Sequence, residues 1–262
     1  MPPSSAAESY DWWAEAYDEC NSGNDYELWV GQTLLPQLER HGLRRGSALD
    51  LGCGTGLAVT PLLRRGWDVV GCDVSSGMLR AAELKFGAEV RFLQSDVCDL
   101  PSIEPPGSGV AGGGFDFVLM LNDVVNYLTG DGDLALAFRG IKKNLGPGGL
   151  VIFDANTLGL FRRDYSVGVS ENIGTRGWRW RGLTREVGTE QVFEGVLQDP
   201  QGKSQVHFQR HWSRVQIEGA LAAAGLRCLA VLGQREEAGE IRLTTAPSET
   251  EDEKTLFIAS HS

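Results

Sequence analysis

The segment SALDLGCGTG, residues 47–56, limits the fold more than any other stretch. Its first five residues form an apolar run interrupted by one acid, Asp50, the pattern of a strand buried on both faces. Gly52, Gly54 and Gly56 follow, and LAVTPLLRRG then has apolar residues at helical spacing and stops at Gly66. A buried strand, a glycine turn and a helix open a βα unit, which demands a parallel sheet. Glycine at the turn lets the backbone come close to a ligand, and the helix beyond it starts with unpaired amides pointing outward. A dinucleotide also suits such a turn, but Leu57 stands where the dinucleotide fingerprint wants its third glycine.

The same rhythm continues. WDVVGCD reads as a second strand, SSGMLRAAELKF as a helix capped by Ser75 or Ser76, and AEVRFLQSD as a third strand. A Pro- and Gly-rich loop from Pro101 to Gly114 precedes a fourth strand, FDFVLMLND, then a helix, DLALAFRGIKKNL, and a fifth strand, GGLVIFDAN. Ahead of the sheet, residues 4–19 and 25–40 read as two helices broken by CNSGND. After it, residues 167–212 alternate with period two (TRGWRWRGL, EQVFEGVLQ, KSQVHFQRHW), which predicts antiparallel strands added to the main fold. A helix, RVQIEGALAAAG, and two strands, CLAVLG and KTLFIASH, complete the pattern. The intervening AGEIRLTTAPSETEDE reads as a mobile surface loop, its acids solvated.

The chain of 262 residues has a net charge of −11, which disfavours broad contact with nucleic-acid phosphates. RGWRWRGLTR interleaves arginine with tryptophan, but on a strand the two types simply fall on opposite faces. Apolar runs such as FDFVLML are far too short to span a membrane, and the first residues lack the pattern of a secretory leader. Five scattered cysteines without CxxC spacing and four histidines without ligand spacing predict a reducing, cytoplasmic setting and no metal.

With LDLGCGTG, VVGCDVSSGML, LQSDVCDLP and LGPGG in this order, the chain resembles class I S-adenosylmethionine-dependent methyltransferases over residues 47–156. The resemblance implies a Rossmann-like α/β fold with a seven-stranded, mostly parallel sheet whose last strand is antiparallel. It implies S-adenosylmethionine as cofactor and S-adenosylhomocysteine as product. Asp50 would orient the cofactor's amino group, and Gly52, Cys53 and Gly54 would cradle its methionine part. Asp73, with Val74 beside it, would take the ribose hydroxyls, a vicinal diol suiting a carboxylate's two acceptor oxygens. Met78, Asp96 and Val97 would surround the adenine, and Leu121 would also contact the cofactor. The N-terminal YDWWAEAYDE resembles a helical lid, with Tyr10 and Tyr17 on one helical face, Tyr17 toward the cofactor and Tyr10 toward the acceptor. The organisation expected is a single domain: lid 1–42, cofactor-binding core 43–156, antiparallel insert 157–212, and a C-terminal helix with the last two strands, 213–262.

Methyl transfer from a sulfonium is in-line displacement with an excellent leaving group, so alignment carries most of the rate and a base helps where the acceptor loses a proton. Candidates for the acceptor side lie in MLNDVVNYL, at the carboxyl end of the fourth strand, where ligands of parallel sheets sit. Asn122 and Asp123 are expected to touch the acceptor, with Tyr127 and Asn126 as catalytic candidates and His211 in QRHWS as another. Trp178 and Trp180 share a strand face and are expected to wall the acceptor pocket. A small-molecule amine or hydroxyl acceptor, as in sugar or natural-product tailoring, is the expectation; peptide or protein amine methylation and cofactor binding without catalysis are the alternatives. The chain is expected to be a monomer or a homodimer.

Overall fold

The computed structural model describes residues 6–107, 114–237 and 240–262. Residues 4–5 of the first expected helix and 108–113 of the Pro/Gly-rich loop lie outside them, as do the side chains of Glu236, Glu237 and Glu240.

Among the described residues, eight strands form the central sheet in the order β11-β10-β12-β5-β4-β1-β2-β3. β1 (Ser47–Leu51), β2 (Asp68–Asp73), β3 (Arg91–Gln94), β4 (Phe115–Met120) and β5 (Leu145–Asn156) run parallel. β12 (Lys254–His261) lies between β5 and β10 (Leu226–Glu237) and is antiparallel to both. All five residues of β1 are buried, because both faces of the sheet are covered. α5 (Asp133–Asn144) and α7 (Arg214–Ala223) pack Phe138, Ile141 and Ile217 against one face. A π-helical stretch, Glu27–Leu34, runs directly into α2 (Leu35–Arg40) and packs Val30, Leu34 and Leu38 on the other face, beside Leu62 of α3 (Val59–Leu63). No helix among the described residues is long and apolar enough to cross a membrane.

Seven of the eight strands match the expected sheet, and its last strand is antiparallel as expected. The eighth, β11 (Glu240–Thr244), comes from the stretch expected to be a mobile loop. β10 runs well past CLAVLG and pairs with β11 from Gly233–Thr244 to Glu237–Glu240, while Ile241 and Leu243 pack against the apolar cluster beneath. Their alternation was a strand signal hidden between Gly and Pro-rich neighbours. The acids that follow are only partly solvated. Asp252 is buried and accepts from Arg235 and from the Ser248 amide (2.6 Å), and Glu249 accepts from the Leu158 amide (3.2 Å). β5 also starts earlier than expected, at Leu145, so LGPGG is its irregular first half rather than a turn ahead of it.

The alternating region forms a separate antiparallel sheet of β6 (Ser170–Ile173), β7 (Trp178–Gly182), β8 (Val192–Gln198) and β9 (Ser204–Arg210). A short helix that the periodicity did not reveal, α6 (Leu158–Asp164), leads into it, capped by the Thr157 hydroxyl. Phe161, Tyr165 and Phe193 form the small core that joins them.

α1 (Ala6–Cys20) touches both parts. Asp11 caps α4 (Ser76–Phe86), accepting from the Gly77 amide (2.6 Å) and the Ser75 hydroxyl (2.7 Å). Hydrogen bonds hold that carboxyl below its usual range despite its partial burial. Only glycine fits at position 77, since a Cβ would sit 2.9 Å from the Asp11 Cα. On the insert side Trp12 meets Trp178 (ring centroids 4.9 Å apart) and Glu19 pairs with Arg176 (2.8 Å).

Candidate active site

The turn after β1 is held from behind. Gly52 has φ of +70°, and a Cβ there would lie 2.3 Å from the Val124 side chain. The Gly54 amide donates to Asp73 at the end of β2 (2.8 Å), and the Ser75 amide donates to its other oxygen (2.8 Å). Burial pushes the Asp73 carboxyl up, with these amides opposing. Asp96, at the end of β3, accepts from the Cys98 amide (2.8 Å) and so caps the next short turn. These turns enclose a cavity of about 260 Å³.

Gly52, Gly54, Asp73, Val74 and Met78 border it, as do Asp96, Val97, Leu121 and Tyr17, with Ala6, Ala7 and Tyr10 of α1 also on its wall. Cys53 and Asp50 border a small adjoining recess together with Gly52, Tyr17 and Tyr26. Asp50 is buried, and its Oδ2 has no hydrogen-bond partner among the described residues. Burial, then the nearby charge of Asp73, pushes its carboxyl up to about 8.

A second cavity, of about 390 Å³, shares Tyr10, Tyr17, Asn122 and Tyr127 with the first. It opens where β4 ends in two consecutive left-handed residues, Asn122 (φ 58°) and Asp123 (φ 57°). Non-glycine residues in that region cost on the order of 1–3 kcal/mol each and persist only where the surroundings hold them. Asp154 of β5 does so, its two oxygens accepting from the Asn122 amide (2.9 Å) and the Asp123 amide (2.7 Å). Lys254, the first residue of β12, bridges Asp123 (3.2 Å) and Asp154 (3.4 Å). Burial works against the lysine's charge, but the Asp154 and Asp123 carboxylates outweigh it and raise its pKa. Burial pushes the Asp123 carboxyl up, and Lys254 opposes this. Gln209 of β9 also donates to Asp123.

A line of hydrogen bonds crosses the shared wall. Tyr10 donates to the Tyr127 hydroxyl (3.0 Å), which lies 3.0 Å from Nδ1 of His207 on β9. His207 is buried, its pKa falls to about 4 through desolvation, and its Nε2 has no partner among the described residues.

Three expected site residues lie elsewhere. His211 borders neither cavity: its Nε2 contacts Glu249 (3.1 Å), its Nδ1 accepts from the Glu190 amide (3.2 Å), and its ring packs edge-on against Phe161. Asn126 is fully buried and spans backbone groups, donating to the Arg210 carbonyl (2.8 Å) and accepting from the Asn156 amide (2.9 Å). Trp178 packs on Trp12 and Trp13 and borders neither cavity, whereas Trp180 lines the second one and donates to the Asp164 carbonyl (2.7 Å). His207, Gln209 and Lys254 were missed. His207 and Gln209 share the strand parity of His211, so alternation alone offered a signal but no depth.

Residues 48–149 match the family model described as a methyltransferase domain. YqeM of Bacillus subtilis (strain 168), which carries only a methyltransferase name, is 31% identical over 152 residues, 56% of this chain and 56% of its own length. The chain thus spans about half the length of the curated relatives it matches. Solved structures resemble it over nearly all of its length. An S-adenosylmethionine-dependent methyltransferase from Clostridium acetobutylicum ATCC 824 superposes with a TM-score of 0.74 at 20% identity, covering 96% of this chain and 98% of that one. The sugar N-methyltransferase KedS8 from Streptoalloteichus sp ATCC 53650 gives 0.67 at 22% identity, covering 100% and 96%.

Fold and motif together give the Rossmann-like α/β architecture that the solved S-adenosylmethionine-dependent methyltransferase also has. The residues present fit that cofactor on their own chemistry. The unpartnered, buried Asp50 oxygen lacks the cation that a methionine ammonium would bring, and Asp73 borders the first cavity, where a ribose diol would need an acceptor.

Proposed function

We propose that this chain methylates an amine or hydroxyl group of a small polar molecule, with S-adenosylmethionine as donor. The observation that carries the reading is the pair of cavities meeting at Tyr10, Tyr17, Asn122 and Tyr127. When bound, S-adenosylmethionine supplies a methyl group on a cationic sulfur. Gly52, Gly54, Asp50, Asp73, Met78 and Asp96 would hold it on one side of the shared wall, and the acceptor would enter the other. Alignment across that wall is the main contribution asked of the protein.

The second cavity's volume, about 390 Å³, lies in the small-ligand range. Its polar lining, including Asn156, Gln209, Asp123 and Asp164, suits an acceptor rich in hydroxyl or amino groups, and the fold shared with KedS8, a sugar N-methyltransferase, supports this. Trp180 would supply an apolar wall and Tyr127 a hydroxyl at the reacting atom. His211 and Asn126 have no part in this reading. The five free cysteines suit a reducing compartment, and we place the enzyme in the cytoplasm on that ground.

The test is incubation with methyl-labelled S-adenosylmethionine and panels of amino sugars, simple amines, polyols and short peptides. Label transferred to a small amine or polyol is the expected result. Label found on peptides alone would replace the small-molecule reading. Tight cofactor binding without turnover on any panel would replace it with a binding role.

A further inference from the structure

The Tyr127 hydroxyl lies where the two cavities meet, and a tyrosine hydroxyl has one proton and two lone pairs. Tyr10 fills one lone pair at 3.0 Å. Two arrangements remain for the 3.0 Å contact with His207 Nδ1. If Nδ1 carried the proton, it would fill the second lone pair, and Tyr127 would have nothing left with which to accept from an incoming N–H or O–H. If Nδ1 is bare, Tyr127 donates to it and keeps one lone pair free. Gln209 also lies beside the hydroxyl: one of its amide protons goes to Asp123 and its oxygen accepts from Asn156 (3.0 Å), so its second proton can fill the lone pair that a bare Nδ1 leaves open until an acceptor displaces it.

We propose that His207 is a positioning residue: its bare Nδ1 takes the Tyr127 proton, so that Tyr127 turns its free lone pair toward the acceptor's N–H or O–H. This rests on the methyl-transfer reading above. The donor chain then runs in one direction, Tyr10 to Tyr127 to His207, and uses both hydroxyl protons. The imidazole proton sits on Nε2, the nitrogen with no partner among the described residues. Burial between Tyr10, Tyr127 and Trp180 fixes the ring, whose centroid lies 5.8, 6.2 and 5.7 Å from theirs. Desolvation keeps the imidazole neutral down to about pH 4, so this acceptor persists through the working range and the ring takes up no proton itself. The role is orientation of a hydroxyl, which fixes in turn the lone pair that must face the methyl group.

Two measurements test it, one of which needs no turnover. In protein labelled with nitrogen-15 histidine, the His207 resonances, assigned by their loss in His207→Asn, should show a bare Nδ1 and a protonated Nε2 at pH 7. A protonated Nδ1 would overturn the proposal whether or not the chain methylates anything. In turnover with an acceptor found as above, His207→Phe should lower kcat by about 10- to 100-fold, with the cofactor Kd within about twofold of wild type. His207→Asn can place its amide oxygen near the former Nδ1 and should restore most of kcat, whereas His207→Gln, with its amide one carbon further out, should not. Tyr127→Phe should be as impaired as His207→Phe, and the double variant no worse than either. Equal loss in Asn and Phe variants, or additive losses, would overturn the role and leave His207 as packing. If the wild type methylates nothing, the function proposal fails while the tautomer measurement still stands.

Discussion

The two cavities share a wall, yet they are built by opposite means. On the proposed cofactor side, backbone does most of the holding: the Gly54 and Ser75 amides fix Asp73, and the Cys98 amide fixes Asp96. The parts follow one another closely along the chain, each at the end of a parallel strand. On the proposed acceptor side, side chains hold side chains across long separations. Lys254 reaches Asp123 from 131 residues away, and His207 reaches Tyr127 from 80. A site held by amides tolerates the loss of one side chain as a local event. A buried network of charges and hydroxyls does not, because each member leaves its partners unpaired in a medium of low dielectric.

The largest expected effect tests that contrast directly. Lys254→Met leaves Asp123 and Asp154 buried side by side without their cation, so it should cost about 3–5 kcal/mol of folding stability in urea at pH 7. A loss under about 1 kcal/mol would show that the acceptor side relaxes as easily as the cofactor side. Next comes Asp73→Ala, which should weaken cofactor binding by about 1–3 kcal/mol in calorimetry with a much smaller change in the urea midpoint. An unchanged Kd in the folded variant would remove Asp73 from the ribose position.

Asp50 gives the pH dependence. Its carboxyl, raised to about 8 in the ligand-free protein, binds more protons folded than unfolded, so it lowers folding stability as pH rises from about 4 to about 8. An ammonium beside it restores the ionised form, so cofactor binding at pH 7 should release close to one proton and weaken as pH falls below 8. Calorimetry in buffers of differing ionisation enthalpy reads this release, and none at all would mean that Asp50 is already ionised. Asp50→Asn should abolish the release and weaken the cofactor.

The two tryptophans expected to act alike should now separate. Trp180→Ala should raise the acceptor KM with kcat little changed, since it lines the cavity. Trp178→Ala removes the surface on which Trp12 rests, so it should speed hydrogen exchange in residues 8–20 and affect both ligands. Identical profiles for the two variants would mean that the lid and the acceptor wall move as one. The smallest effect belongs to His211→Asn, which should leave kcat unchanged and lower stability by about 1 kcal/mol through the lost Glu249 contact. A large drop in kcat would return His211 to the site.

The same contrast explains what could be read beforehand. Glycine turns, a capping serine and acids at strand ends are local devices, so short motifs carried the resemblance that pointed to Gly52, Asp73 and Asp96, and all three border the first cavity. The insert sheet was legible from period two, but alternation gives a face and not a depth. It could not tell Trp178 under α1 from Trp180 on the cavity, or His207 beside Tyr127 from His211 beside Glu249. Asn126 and Asn122 look alike in MLNDVVNYL, and only the fold sends one to the backbone and the other to the shared wall. Lys254 was invisible because its partners lie past the end of β4 and on β5, and β11 because Gly- and Pro-containing neighbours hid the alternation of Ile241 and Leu243.

β12 enters the sheet between two strands that precede it in the chain. Until it arrives, β5 and β10 stand on either side of a slot one strand wide, each with an unpaired edge that includes Ile152 and Phe153 on one side and Val231 and Leu232 on the other. An open pair of apolar edges is a template for any extended segment, including the same strand from a neighbouring molecule. A nascent chain stalled before residue 254, or a copy clipped there, is therefore an aggregation seed or the open half of a domain-swapped pair. Because the strand that fills the slot begins with Lys254, closing the sheet and neutralising the buried acids are one folding event.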